Sequence, residues 1–184
     1  MKTLFSQYGV GLIEVLVALF LLAIGVLGYT ALQLRAVDAG NEALIKSQAT
    51  LILRGLTESI RSNVAGQDEY PTAVQSYVAL KINESDKTKT IPEAPTSCLN
   101  PAISCTATQM AQYDAYWAAR NALDLGMHLT MTNCPGISTT SQVKRQCLFA
   151  AWDSTALTAT NYNSCMTTEG VYKVTAKCLM MEAY

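Results

Sequence analysis

Residues 8–34 read YGVGLIEVLVALFLLAIGVLGYTALQL. Between Val10 and Leu34 a single residue, Glu14, carries charge. A helix that crosses a bilayer needs about 20 consecutive apolar residues, and this run supplies them. The run is too long for the apolar core of a cleaved secretory signal, and it continues into a helical pattern instead of ending at a small-residue cleavage site. Lys2 lies before it and favours a cytoplasmic amino end. The segment therefore reads as a signal anchor that makes one membrane pass and holds the rest of the chain outside the cytoplasm.

An anchor alone leaves Glu14 unexplained. A carboxylate at the centre of a span costs about 2.5–3.5 kcal/mol on insertion scales, and less near the interface. Either Glu14 sits close to the headgroups and is tolerated there, or it waits for a cation. Arg35 is too far along the helix to serve. The partner would have to be a chain terminus or a group on another subunit.

The remainder of the chain narrows the function. Its 184 residues allow one domain with a modest core besides the membrane segment. The net charge is −1, with no run of Lys and Arg that could track phosphates, which argues against a nucleic-acid partner. All six cysteines, Cys98, Cys105, Cys134, Cys147, Cys165 and Cys178, follow residue 97. An even number confined to one part of the chain reads as disulfides formed in an oxidising compartment. Zinc would favour close C-x-x-C pairs, and none is present, so no metal is expected. The single histidine, His128, would have to serve any Ser-His-Asp or Cys-His arrangement. It stands among threonines on the polar face of a predicted strand, where a solvated or hydrogen-bonded role is the simpler reading. No P-loop, G-x-G-x-x-G or H-E-x-x-H is found, and no pair of acids stands out as an acid–base couple. No cofactor and no enzymatic activity are expected.

The stretch Gly9-Val10-Gly11-Leu12-Ile13-Glu14-Val15-Leu16-Val17-Ala18-Leu19 resembles the class III signal of type IV prepilins. The resemblance implies that a prepilin peptidase cuts after Gly9 on the cytoplasmic side, that Val10 becomes the N-methylated first residue, and that Glu14 becomes the fifth. The short leader MKTLFSQYG, with Lys2, fits; Val10 and Gly11 depart from the Phe and the Thr or Ser usual in the family. The resemblance also gives Glu14 its cation. Cleavage exposes an α-amino group with a reference pKa of about 7.7–8, and methylation retains its charge. A buried carboxylate is costly alone and much less so when paired, so the pairing of Glu14 with the amine of a neighbouring subunit would favour assembly in one register. Implied partners are the prepilin peptidase, other minor and major pilins, the inner-membrane assembly platform, and membrane lipid before assembly. The implied location is the inner membrane, with a cytoplasmic amino end and a periplasmic head, and then the pilus.

Within that family, the run LIEVLVALFLLAIGVLG followed by a cysteine-rich head of about 120 residues is similar to the PilV-type minor pilins, also called type IV pilus modification proteins. These act with other minor pilins to prime assembly and can stand at the filament tip. An I-type minor pseudopilin of a type II secretion system shares LIEVLVAL and is the alternative. A membrane-anchored periplasmic enzyme or adhesin is a third reading.

Periodicity fills in the architecture. Leu53, Leu56, Ile60 and Val64 fall on one face of a continued helix, with Arg54, Glu58 and Arg61 at other angles, spaced for i,i+4 and i,i+3 pairs. Asn63 to Gly66 with Pro71 beyond predicts the stop, so a helix is expected over about 10–64. Gly25 and Gly28 read either as close-packing positions or as a weak point of the helix. Residues 66–106 are the least determined; Asn83 opens a glycosylation-like triplet that chance explains. A second helix is expected at 107–125, with Met110, Tyr113, Tyr116, Trp117 and Leu123 as its core face and Gly126 just past its end. Strands are expected at 127–132, with Met and Leu inward, at 147–152, buried on both sides, and at 171–180, with Tyr172, Val174, Ala176, Cys178 and Met180 on one face. The shortest loops pair Cys98 with Cys105, Cys134 with Cys147 and Cys165 with Cys178. The expected fold is α+β, type IV pilin-like: a long N-terminal helix, membrane-spanning in its first half, packed against a small antiparallel sheet head with disulfides. The divisions are a leader at 1–9, a transmembrane and assembly helix at 10–34, a helical stem at 35–65 and a disulfide-bonded head at 66–184.

Overall fold

The computed structural model describes residues 11–78, 94–100, 102–137 and 144–184. The chain divides into two compact units, Met1–Leu44 and Ile45–Tyr184. Helix α1 spans Leu12–Ser62 without a break. Within the first unit it is exposed on every side. Its last part, from Ile45, belongs to the second unit, where Ala49, Leu53, Leu56 and Ile60 are buried. The i, i+3, i+4 spacing of these four residues produces the single apolar stripe that a helix needs to pack. Val64 does not extend that stripe: α1 ends at Ser62, and Val64 lies in a 3-10 turn, Val64–Glu69, 72% exposed. On the exposed side Arg61 pairs with Glu58 at 3.3 Å.

Helix α2, Tyr70–Tyr77, follows at once. Pro71, expected only as a stop, sits in its first turn, where its missing N–H costs nothing and its fixed φ suits a helix. Helix α3, Ala107–Asp124, starts on a capping box in which Thr106 and Gln109 each bond the other's backbone N–H. It ends at Gly126, whose φ of +73° suits the left-handed position after a helix. The core face of α3 differs from the expected one. Ala111, Ala115, Tyr116, Ala119, Ala122 and Leu123 are buried, Met110 and Tyr113 are half-buried, and Trp117 is 43% exposed. Small side chains let the helix approach its neighbours closely; Tyr116 and Leu123 are buried as expected, while Met110, Tyr113 and Trp117 are turned toward the rim.

The sheet holds three antiparallel strands in the order β1 (Met127–Asn133), β2 (Gln146–Trp152), β3 (Cys178–Glu182). Alternate residues of β2 feed two cores. Leu148, Ala150 and Trp152 join Met127, Leu129 and Met131 on the side of the helices. Phe149 and Ala151 join Cys165 and Met166 on the other side, beneath the 153–177 segment. The expectation that β2 is buried on both sides therefore holds. The threonine face of β1, expected to be polar and open, is covered too: Thr130 is fully buried and its hydroxyl donates to the Ala159 carbonyl at 2.7 Å. His128 is half-buried and registers with Ala151.

The third strand is shorter and later than expected. Residues 171–177 form an isolated bridge (Met166 to Tyr172) and a turn, and Val174 is fully exposed. Their alternation has no neighbouring strand to meet, because Lys173 N–H is taken by the Cys165 carbonyl at 3.0 Å and Ala176 N–H by the Lys173 carbonyl at 3.0 Å. The strand forms only past Cys178, where it lies against β2. The free edge of β3 is occupied at one point: Met180 N–H donates to the Tyr172 phenol oxygen at 3.0 Å. Arg145 and Glu182 pair across the sheet's end. Disulfides join Cys98 to Cys105, Cys134 to Cys147 and Cys165 to Cys178.

Candidate assembly segment

The first described residue, Gly11, supplies the carbonyl that starts α1, accepting from Glu14 N–H at 2.9 Å and Val15 N–H at 3.4 Å. Glu14 consequently stands in the first turn, where the positive end of the helix dipole favours a carboxylate. Around and after it the helix is apolar and open: Leu12 is 86% exposed, and Leu16, Leu19, Phe20, Leu27 and Leu34 are each more than half exposed. The helix is long and apolar enough to cross a membrane. An exposed apolar surface of this extent marks contact with lipid or protein. Gly25 and Gly28 lie in unbroken helix, and a Cβ added at either would meet nothing within 4 Å. In the isolated chain the helix runs through both without a break.

Among the described residues, the first cation along the helix after Glu14 is Arg35. Twenty-one residues separate them, about 31 Å at 1.5 Å per residue. No described cation therefore lies within reach of Glu14 along α1. Gly9 and Val10, the cleavage and methylation positions, lie outside the described residues, as do the rest of the leader and Asn83.

The second unit contains a latch that periodicity did not point to. Tyr70 is fully buried, and its hydroxyl donates to Asp114 Oδ2 at 2.6 Å. Asn63, the residue after α1, donates to the Ala107 carbonyl at 2.8 Å and to the Tyr70 oxygen at 3.4 Å. Gly66 closes the approach: a Cβ there would stand 2.6 Å from the Ala107 carbonyl oxygen. Three side chains, with the close backbone approach at Gly66, thus tie the end of α1, the 3-10 turn, α2 and α3 together. Burial raises the Asp114 pKa, and the Tyr70 bond offsets part of that rise. Burial, and then the bond to Asp114, push the Tyr70 phenol well above its ordinary value. Since the folded pKa of Tyr70 exceeds the unfolded one, its contribution is complete below about pH 10 and is lost as pH rises beyond that. Tyr70→Phe is expected to cost about 1–3 kcal/mol by leaving Asp114 without its donor, and to flatten the alkaline fall in stability. Urea unfolding of both proteins at neutral and high pH measures both effects.

Among the described residues there is no cluster of three or more His, Cys, Asp or Glu side chains that could hold a metal ion.

A family model described as the prokaryotic N-terminal methylation motif matches residues 4–30. A second, described as type IV pilin Tt1218, matches residues 31–116. No curated protein and no solved structure gave a match. The two matched stretches adjoin, and they join the exposed apolar helix with its first-turn carboxylate to the latch helices of the head. This chain belongs to the type IV pilins, a family of structural subunits and not of enzymes.

Proposed function

We propose that the chain is a minor pilin of the PilV type, which helps initiate type IV pilus assembly. In this reading a prepilin peptidase removes residues 1–9 after Gly9, Val10 is N-methylated, residues 10–34 hold the protein in the inner membrane, and residues 35–65 carry a periplasmic head at 66–184. Glu14 then meets the methylated amine of an adjacent pilin as the helix leaves lipid for the filament, and the assembly platform and other pilins are the partners. The observation that carries this is a fully exposed apolar helix with one carboxylate in its first turn and no described cation within reach along it. A head closed by three disulfides supports assembly outside the cytoplasm. It also supports a minor pilin over an I-type pseudopilin, whose heads tend to be poor in cysteine.

The test is intact-mass and N-terminal peptide analysis of the protein extracted from membranes. The expected species starts at Val10, carries one methyl group and retains three disulfides. An amino end at Met1, or a cut after the apolar run, would overturn the reading. Loss of the protein's gene is expected to reduce piliation; a defect in protein secretion with normal pili would favour the pseudopilin.

A further inference from the structure

A recess of about 410 Å³ opens beside the end of β1, within the range of about 300–1,000 Å³ common to small-ligand sites. None of its lining residues carries a charge at neutral pH. Three side-chain amides converge on it, Gln75 from α2, Asn133 from the end of β1 and Gln146 from the start of β2. Two of their bonds fix how they point. Gln75 Nε2 donates to the Met131 carbonyl at 2.7 Å, and Gln146 Nε2 donates to Asn133 Oδ1 at 2.7 Å. The carbonyl oxygens of Gln75 and Gln146 remain as acceptors, and the Asn133 Nδ2 remains as a donor. The hydroxyls of Thr132 and Thr168 give their protons to the Asn133 carbonyl and the Glu169 carboxylate and so remain as acceptors, while the Thr160 hydroxyl adds a group that can both donate and accept.

The walls are stiff. The Cys134–Cys147 disulfide joins the two strand ends, and Gly136 N–H donates to the Thr168 carbonyl at 2.7 Å. Tyr162, also in the lining, lies parallel on Phe149 with ring centroids 4.5 Å apart. One face of its ring is therefore covered, and the phenol is held in place.

This chemistry selects a ligand class. An apolar ligand would strand the amides, each costing about 1–3 kcal/mol. An ionised ligand would lose its hydration and find no counter-charge in the lining. Anions are further disfavoured, because the Glu169 carboxylate accepts the Thr168 hydroxyl at 2.7 Å beside the recess. A ligand with several neutral hydroxyls satisfies donors and acceptors together and can lay C–H groups on an aromatic ring.

We propose that this recess binds the terminal mono- or disaccharide of a neutral glycan. The site lies wholly in the second unit and does not depend on the chain's place in a filament.

The test uses the purified full chain in a detergent without a sugar headgroup, so that the solvent does not compete. Saturation-transfer NMR is run with lactose, chitobiose and mannobiose as neutral probes and with sialyllactose as the anionic one. Asn133→Ala removes a donor, and Thr160→Arg fills the recess from an exposed loop position where folding is not at stake. The expected result is transfer to at least one neutral disaccharide, weakened about tenfold, the worth of a hydrogen bond, in both variants at an unchanged melting temperature. No transfer to any neutral probe, binding that survives in either variant, or sialyllactose bound as well as lactose would overturn the proposal.

Discussion

Glu14→Ala protein is expected to reach the membrane and lose its leader normally, yet to be about a hundredfold scarcer in sheared filaments than the wild type. Insertion has nothing to lose, since removing a carboxylate from an apolar run lowers the cost of entering lipid. On the proposed pairing, docking loses its partner. The methylated amine of the adjoining subunit would be left buried and unpaired, and breaking one side of such a pair costs about 3–5 kcal/mol. At about 1.4 kcal/mol for each tenfold change, that is two to three orders of magnitude in occupancy. Comparing the variant's amount in membrane and filament fractions by immunoblot reads the effect directly. Equal filament levels for the two proteins would sink the electrostatic account of assembly.

The second large effect concerns the layer over the far face of the sheet. Cys165→Ala with Cys178→Ala is expected to destabilise the head by about 3 kcal/mol, from loop-closure entropy alone for a bridge of this span. That corresponds to a fall of roughly 10 °C in melting temperature for a domain of this size. Cys165 is fully buried against Phe149 and Met166, so lost packing adds to the entropic term. Removing the Cys98–Cys105 bridge should matter less. It spans only 7 residues, and its Cys98 end lies outside both of the larger cores. Thermal unfolding of the full chain followed by near-ultraviolet circular dichroism ranks the two. An equal or reversed order would refute the view that the 153–177 layer depends on its staple.

Much of this architecture was legible in the residues, and the failures have physical causes. The apolar run of α1 and the both-sides burial of β2 were legible because each follows from an uninterrupted run of apolar residues. The stop at Gly126 was legible because a left-handed residue after a helix has few occupants. The core face of α3 was read in part: Tyr116 and Leu123 are buried as expected, but bulk was taken as the sign of burial and the alanine series Ala111, Ala115, Ala119 and Ala122, whose value is closeness, was missed. Helix α2 went unseen because eight residues carry little periodicity and Pro71 signals a start as well as a stop. The strand at 171–177 was overcalled because alternation predicts a strand only where a second strand is there to receive it. The acid in the assembly segment was visible from its isolation. The Tyr70–Asp114 bond was not, since 44 residues separate its partners and nothing local marks either.

The phenol of Tyr172 on the Met180 amide has a consequence for how this subunit polymerises. A rim of unmet backbone donors is an invitation to stack, head upon head, into stiff insoluble ribbons. With one donor near the middle of that short rim already taken by a tyrosine from its own chain, crowded heads gain less by joining through their sheets. On the proposed reading, growth is then left to the apolar helices, and the fibre keeps a single mode of adding members.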